Sequence, residues 1–226
     1  MKEFNMNGVI VPNDDAWIYD YFLMDYTSPA KVRNFLDEAA GDAVTININS
    51  GGGDLYSGVN IHDMLRAYGG DVEIHVCGIA ASAASVIAMA STCLMSPASI
   101  MMIHNTSCED YGNKRDKITT SGVLGVHDKA IAMLYAQKTG KDTAEIARMM
   151  DKETYLDAQT ALENGFIDGI LTADAAPRVT NMFGSSMIPQ AVIERIRRLK
   201  ATEEAATTEK GVPVSQLRKR LDLLRR

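Results

Sequence analysis

Cysteine is scarce in this chain. Cys77, Cys93 and Cys108 are the only three in 226 residues, an odd number with no CxxC spacing. That argues against a disulfide frame or a cysteine-held metal and for free thiols in a reducing compartment. Histidine is nearly as sparse, with four scattered residues and no HExxH, so no metal is expected. No apolar run is long enough to span a bilayer, and Met1-Lys2-Glu3-Phe4-Asn5 has no signal-peptide core. The expectation is a cytoplasmic protein with no membrane phase. Nucleotide-binding patterns are missing too: there is no GxxxxGK[ST] and no GxGxxG. Positive charge is short overall, at a net −6, but unevenly so. Residues 189–226 carry ten Lys/Arg against five Asp/Glu, a net +5, which leaves −11 for the rest. An acidic body argues against general nucleic-acid binding, and the basic tail reads as a separate, interactive segment.

What is present is an ordinary globular composition, 46% apolar and 23% charged, long enough for one α/β domain with an appendage. Residues 6–26 read as strand, turn and a second strand or loop. Ser28-Pro29 opens a helix as N-cap and N1, with Val32, Phe35, Leu36 and Ala39 on one face and Gly41 as its stop. Ala43–Ile48 reads as a β-branched strand, 55–68 as a helix capped by Asp54, 72–77 as a strand and 82–91 as a buried helix. Further strands follow near 94–95 and 100–104. A long helix over 116–138 carries Ile118, Val123, Val126, Ile131 and Leu134 on its apolar face. A capped helix to Met150, a short helix after Asp157 and a strand over 166–171 close the body. Strands alternating with helices predict a mostly parallel α/β domain over 1–174. A linker and basic helical tail occupy 175–226, with helices near 189–202 and 213–226. In the second of these, Val214, Leu217, Leu221 and Leu224 form a narrow stripe suited to a partner helix.

The chain is organised around Cys77-Gly78-Ile79-Ala80-Ala81-Ser82-Ala83-Ala84-Ser85. A serine where a strand passes into a small-residue helix sits among unpaired backbone amides, with room for a substrate backbone to approach. Ser82 is therefore the candidate nucleophile. Ser85 repeats the pattern one turn deeper and ranks behind it. A tightly packed helix with an incidental hydroxyl would look the same. The Gly51-Gly52-Gly53 loop follows a strand and precedes a helix, where backbone N–H groups can face an oxyanion, or simply make a tight turn. His104 ends a strand and can serve as general base. His62 and His127 lie inside helices and His75 mid-strand. Asp151 and Glu153 supply two carboxylates that could orient the imidazole.

Together these residues resemble the Clp-type proteolytic subunit (ClpP) family. The resemblance is carried by Ile48-Asn49-Ser50-Gly51-Gly52-Gly53-Asp54, Gly78-Ile79-Ala80-Ala81-Ser82 and Met102-Ile103-His104-Asn105. Thr154-Tyr155-Leu156-Asp157-Ala158 and Ala161-Leu162-Glu163-Asn164-Gly165-Phe166-Ile167-Asp168 complete it, over about 44–172. Within the family the chain looks most like phage and prophage head maturation (prohead) proteases. The resemblance implies a crotonase-like spiral of repeated strand–helix units with a helical C-terminal tail. It implies Ser82 as nucleophile, His104 as general base, Glu153 as third member with Asp151 as fallback, and the backbone N–H groups of Gly52 and Ala83 as oxyanion donors. It implies no cofactor and no metal. It further implies a homo-oligomer (a heptameric ring, single or stacked in two) joined through the long helix.

The reading is a serine endopeptidase acting on capsid or scaffold precursors, in a bacterial host cytoplasm or a phage prohead. One alternative is the proteolytic subunit of an ATP-dependent Clp protease, fed by an unfoldase. The N-terminal region does not look like the axial segment that engages one. Others are an acyl-CoA enzyme of the crotonase fold and a non-catalytic assembly protein.

Overall fold

A computed structural model describes residues 2–172 and 187–210, the last eight as backbone only. The first of its two compact units runs to Met187. It opens on strand β1 (Lys2–Asn7), which pairs in parallel with β4 (Val44–Ser50). Between them lie β2 (Val9–Ile10), helix α1 (Ala16–Tyr21), β3 (Tyr26–Thr27) and α2 (Pro29–Ala39); β2 and β3 form a small parallel ribbon. Helix α1 occupies a stretch that its aromatic residues make look like strand or loop. Helix α2 starts where expected: the Ser28 hydroxyl accepts from Lys31 N, Pro29 takes N1, and Val32, Leu36 and Ala39 are buried.

All seven residues of β4 are buried. Its Ile46 and Ile48 meet Val32 and Leu36 of α2, Ile61 and Leu65 of α3 (Leu55–Ala67), and Ile74 and Val76 of β5 (Val72–Ala81) in one core. Each such buried aliphatic side chain contributes about 1.5–3 kcal/mol. Asp54 caps α3 by accepting from Ser57 N at 2.8 Å.

Strand β5 is longer than Gly78 suggests, and this matters for the site. Up to Val76 it pairs with β6 (Thr92–Met95); from Ile79 it pairs with β7 (Ile100–Ile103). The change of partner happens at Gly78, with φ +128. There the Ser99 hydroxyl accepts from Gly78 N at 2.7 Å and the Asn49 side-chain oxygen accepts from Ile79 N at 3.3 Å. A Cβ at Gly78 would stand 2.5 Å from that oxygen, so only glycine lets Asn49 in. The strand is thus carried on to Ala81, and the helix after it is shorter than expected. Helix α4 spans Ala83–Ala88 rather than 82–91, and Ser82 is its N-cap rather than part of its first turn.

Helix α5 (Lys114–Thr139) begins in a capping box between Asn113 and Asp116 and ends at left-handed Gly140. Its expected apolar face holds only in the second half: Ile131 is buried, whereas Ile118 and Val126 are about two-thirds exposed. Helix α6 (Thr143–Asp151), strand β8 (Thr154–Asp157), α7 (Ala158–Glu163) and β9 (Gly169–Ile170) complete the unit. The main sheet runs β1-β4-β5-β6-β9, all parallel, and β8 adds to β7 antiparallel. The second compact unit begins at Ile188 and contains helix α8 (Gln190–Lys210). The expected boundary near 174 and the expected helix at 213–226 lie outside the described residues.

Candidate active site

The sharpest local feature is the backbone of Ser82. It stands at φ +55, ψ −127, a conformation that a residue with a Cβ adopts only under strain of about 1–3 kcal/mol. Two elements hold it there. Its N–H donates to Met102 O of β7 at 3.0 Å, and its carbonyl accepts from Ser85 N at 2.9 Å and Val86 N at 3.3 Å. The resulting strand–turn–helix elbow leaves Ser82 half-buried at the head of an otherwise buried segment.

His104 follows the last residue of β7, the strand that holds the Ser82 amide. Its Nε2 lies 2.8 Å from Ser82 Oγ, the distance a proton transfer between them needs. The loop beyond is anchored to α5, because Asp128 accepts from both Thr106 N (2.7 Å) and Thr106 Oγ1 (2.8 Å). Asp128 had no signal in the sequence, where it is one more acidic residue on a helix.

The carboxylate side is less complete. The β7–β8 register pairs Ile103 with Thr154, so His104 and Glu153 each lie one residue beyond that last pair. Glu153 is exposed and takes a left-handed backbone, φ +49, at the turn from α6. Among the described residues no carboxylate hydrogen-bonds His104. Asp151 accepts from Asn105 Nδ2 at 2.8 Å instead.

The glycine loop reaches the elbow at close quarters. A Cβ on Gly52 would stand 2.6 Å from Ala81 O, 2.7 Å from Ser82 Cβ and 3.0 Å from Ala83 N. Its N–H, however, donates to Ser50 Oγ at 3.1 Å, and that hydroxyl donates onward to Gly8 O. The amide expected to face an oxyanion is therefore turned inward. The amides of Ala83, next to Ser82, and of Gly53, next to Gly52, have no hydrogen-bond partner among the described residues. Gly53 is fixed by its neighbour: Ile10 O accepts from Asp54 N at 2.9 Å, and a Cβ on Gly53 would stand 2.1 Å from it.

The other candidates make no hydrogen bond to the Ser82 hydroxyl. Ser85 is fully buried. His62 and His75 pair with Asp63 and Glu73, and His127 with the Tyr56 hydroxyl. Burial pushes the Cys77 thiol up to about 11 and Cys93 up to about 12, which leaves both as unreactive thiols. Among the described residues no group of three His, Cys, Asp or Glu could hold a metal, and no helix is long and apolar enough to cross a membrane.

The profile of the Clp protease family matches residues 32–174. The ATP-dependent Clp protease proteolytic subunit of Porphyromonas gingivalis is 34% identical over 142 residues, which cover 61% of this chain and 64% of that protein. Its counterpart from Ligilactobacillus salivarius is 32% identical over 142 residues, covering 61% and 72%. The chain thus spans a little under two thirds of the first relative. A ClpP1 mutant from Listeria monocytogenes shares the fold, with a TM-score of 0.62 at 22% identity over 78% of this chain and 95% of that one.

Proposed function

The chain belongs to the Clp protease family, and from that premise we propose that it is a serine endopeptidase whose working residues are Ser82 and His104. The observation that carries this is the 2.8 Å contact between His104 Nε2 and the hydroxyl of the strained Ser82. In the proposed reaction Ser82 Oγ attacks the scissile carbonyl as Nε2 takes its proton. The same proton passes to the leaving amine, which departs and leaves an acyl-serine. Water, deprotonated by His104, then attacks the ester and releases the acid. The Ala83 N–H, with Gly53 N–H in place of the expected Gly52, would donate to the oxyanion.

Glu153 is the proposed third member, supported by its place one residue beyond the last β7–β8 pair, as His104 is on the other strand. Its role is to fix the imidazole tautomer and to stabilise the imidazolium. Glu153→Gln is expected to lower kcat for peptide hydrolysis about 10²-fold or more. Asp151→Asn, which disturbs only the Asn105 contact, should stay within about threefold. The reverse ranking, read from steady-state kinetics of both variants, would move the role to Asp151.

The natural substrates proposed are phage capsid or scaffold precursors, and the assembly a homo-oligomeric ring working in a host cytoplasm or prohead. Both rest on the motif resemblance. The names of the relatives support a second reading, in which an ATP-driven partner feeds the chain. The test is hydrolysis of casein and of a co-expressed scaffold protein by the full chain without nucleotide. Cleavage of the scaffold alone supports the first reading. A requirement for ATP and an added Clp ATPase supports the second, and no hydrolysis under either condition overturns both.

A further inference from the structure

Beneath the elbow lies a buried pair of hydroxyls that the proposed reaction does not use. Ser85 is 0% exposed and Tyr135, reaching in from α5, is 1% exposed. Ser85 Oγ donates to Ser82 O at 2.6 Å and lies 2.7 Å from Tyr135 OH. Proton counting fixes the direction. Ser85 has one hydroxyl proton and gives it to Ser82 O, so Tyr135 must be the donor in the second bond. Burial raises the Tyr135 hydroxyl far above the ordinary phenol range, which keeps it protonated and able to donate. Its ring is held edge-on against Phe166, centroids 5.8 Å apart.

Two properties set this chain apart from ordinary core satisfaction. The Ser82 carbonyl already accepts from Ser85 N and Val86 N, so its burial does not require a third donor. And that carbonyl belongs to the same peptide group as Ala83 N–H. A hydrogen bond to an amide oxygen draws electron density from the nitrogen and makes the N–H a stronger donor, while the extra bond holds the strained peptide plane in place.

We propose that Tyr135 and Ser85 are positioning residues, a relay that orients and polarises the Ser82–Ala83 peptide group and so sets the strength of the Ala83 N–H as oxyanion donor. The proposal rests on the serine-peptidase reading above. It deepens that reading by linking the reacting serine to α5 through a contact 50 residues away in sequence.

The test compares wild type, Tyr135→Phe, Ser85→Ala and the double variant in the full chain. Four readouts are taken: kcat, KM, affinity for a peptide boronic acid (whose serine adduct places an oxygen at the oxyanion position) and thermal unfolding. The relay predicts that kcat and boronate affinity fall together by about five- to tenfold. KM should stay within about twofold, and the double variant should match Ser85→Ala, because the two bonds act in series. Unchanged kcat in both single variants, or a fall in kcat with boronate affinity intact, overturns the relay. If Tyr135→Phe fails to fold, Ser85→Ala carries the same readouts. Wild-type protein that neither hydrolyses peptide nor forms a boronate adduct at Ser82 would instead defeat the serine-peptidase reading itself.

Discussion

Ser82→Ala is expected to leave no measurable peptide hydrolysis while the protein stays folded. Removing the nucleophile from a serine hydrolase takes about 10⁶ from kcat, because no acyl-serine can form and only the slow attack of water, helped by binding and the oxyanion donors, remains. The stability cost should be small. The variant loses one hydrogen bond, Ser82 Oγ to His104 Nε2, worth about 1 kcal/mol, but keeps the Ser82 N–H to Met102 O contact and the carbonyl contacts to α4. A comparison with Ser82→Gly makes the point sharper. Alanine keeps the Cβ that makes φ +55, ψ −127 costly; glycine does not. Ser82→Gly should therefore be equally inactive yet more stable than Ser82→Ala by about 1 kcal/mol or more, read as a higher midpoint in denaturant. Equal stability of the two would mean that the elbow stores no strain.

Gly52→Ala should lower both activity and stability. A methyl there would press within 2.6–2.7 Å of Ala81 O and Ser82 Cβ, and the φ of +97 is one that a side chain resists in any case. Neither obstacle is the flexible end of a side chain, so the elbow or the loop must move. A shift of about 1 Å between the serine and its oxyanion donors is enough to cost about 10²-fold in rate. Stability should fall by about 1–3 kcal/mol as well. Gly51→Ala is the internal comparison. Nothing lies within 4 Å of a Cβ there, and its effect on denaturant midpoint should stay within about 0.5 kcal/mol. Similar effects from the two substitutions would contradict the close packing of loop on elbow.

Most of what local chemistry decides could be read from the sequence. Ser28, Asp54, Asp142 and Asp157 cap the helices they precede, and Gly140 ends α5 in a left-handed turn. The alternation of strand and helix, and the emergence of Ser82 and His104 at element ends, were equally visible. What escaped depends on contacts between distant residues. Gly78 reads as a strand stop, yet Asn49 and Ser99 supply the hydrogen bonds that carry β5 through it. The alanine-rich run reads as helix to position 91, but α4 ends at Ala88 and the Ser91 hydroxyl donates to Val72 O on the way into β6. Which glycine amide is free is set by the Ser50 hydroxyl, and no glycine triplet announces that. The apolar residues in the first half of α5 follow helical spacing without being buried by the chain itself, and periodicity alone cannot tell those cases apart.

The Ser82 hydroxyl is proposed as the reacting atom and His104 as its base. Fluorophosphonate labelling followed by peptide mass spectrometry tests this assignment most directly, because the probe modifies only a serine activated by its surroundings. One adduct is expected, on Ser82, in the wild-type chain. Label should be absent in Ser82→Ala and strongly slowed in His104→Ala. Labelling that persists in Ser82→Ala, or an adduct mapped to another residue, would contradict it.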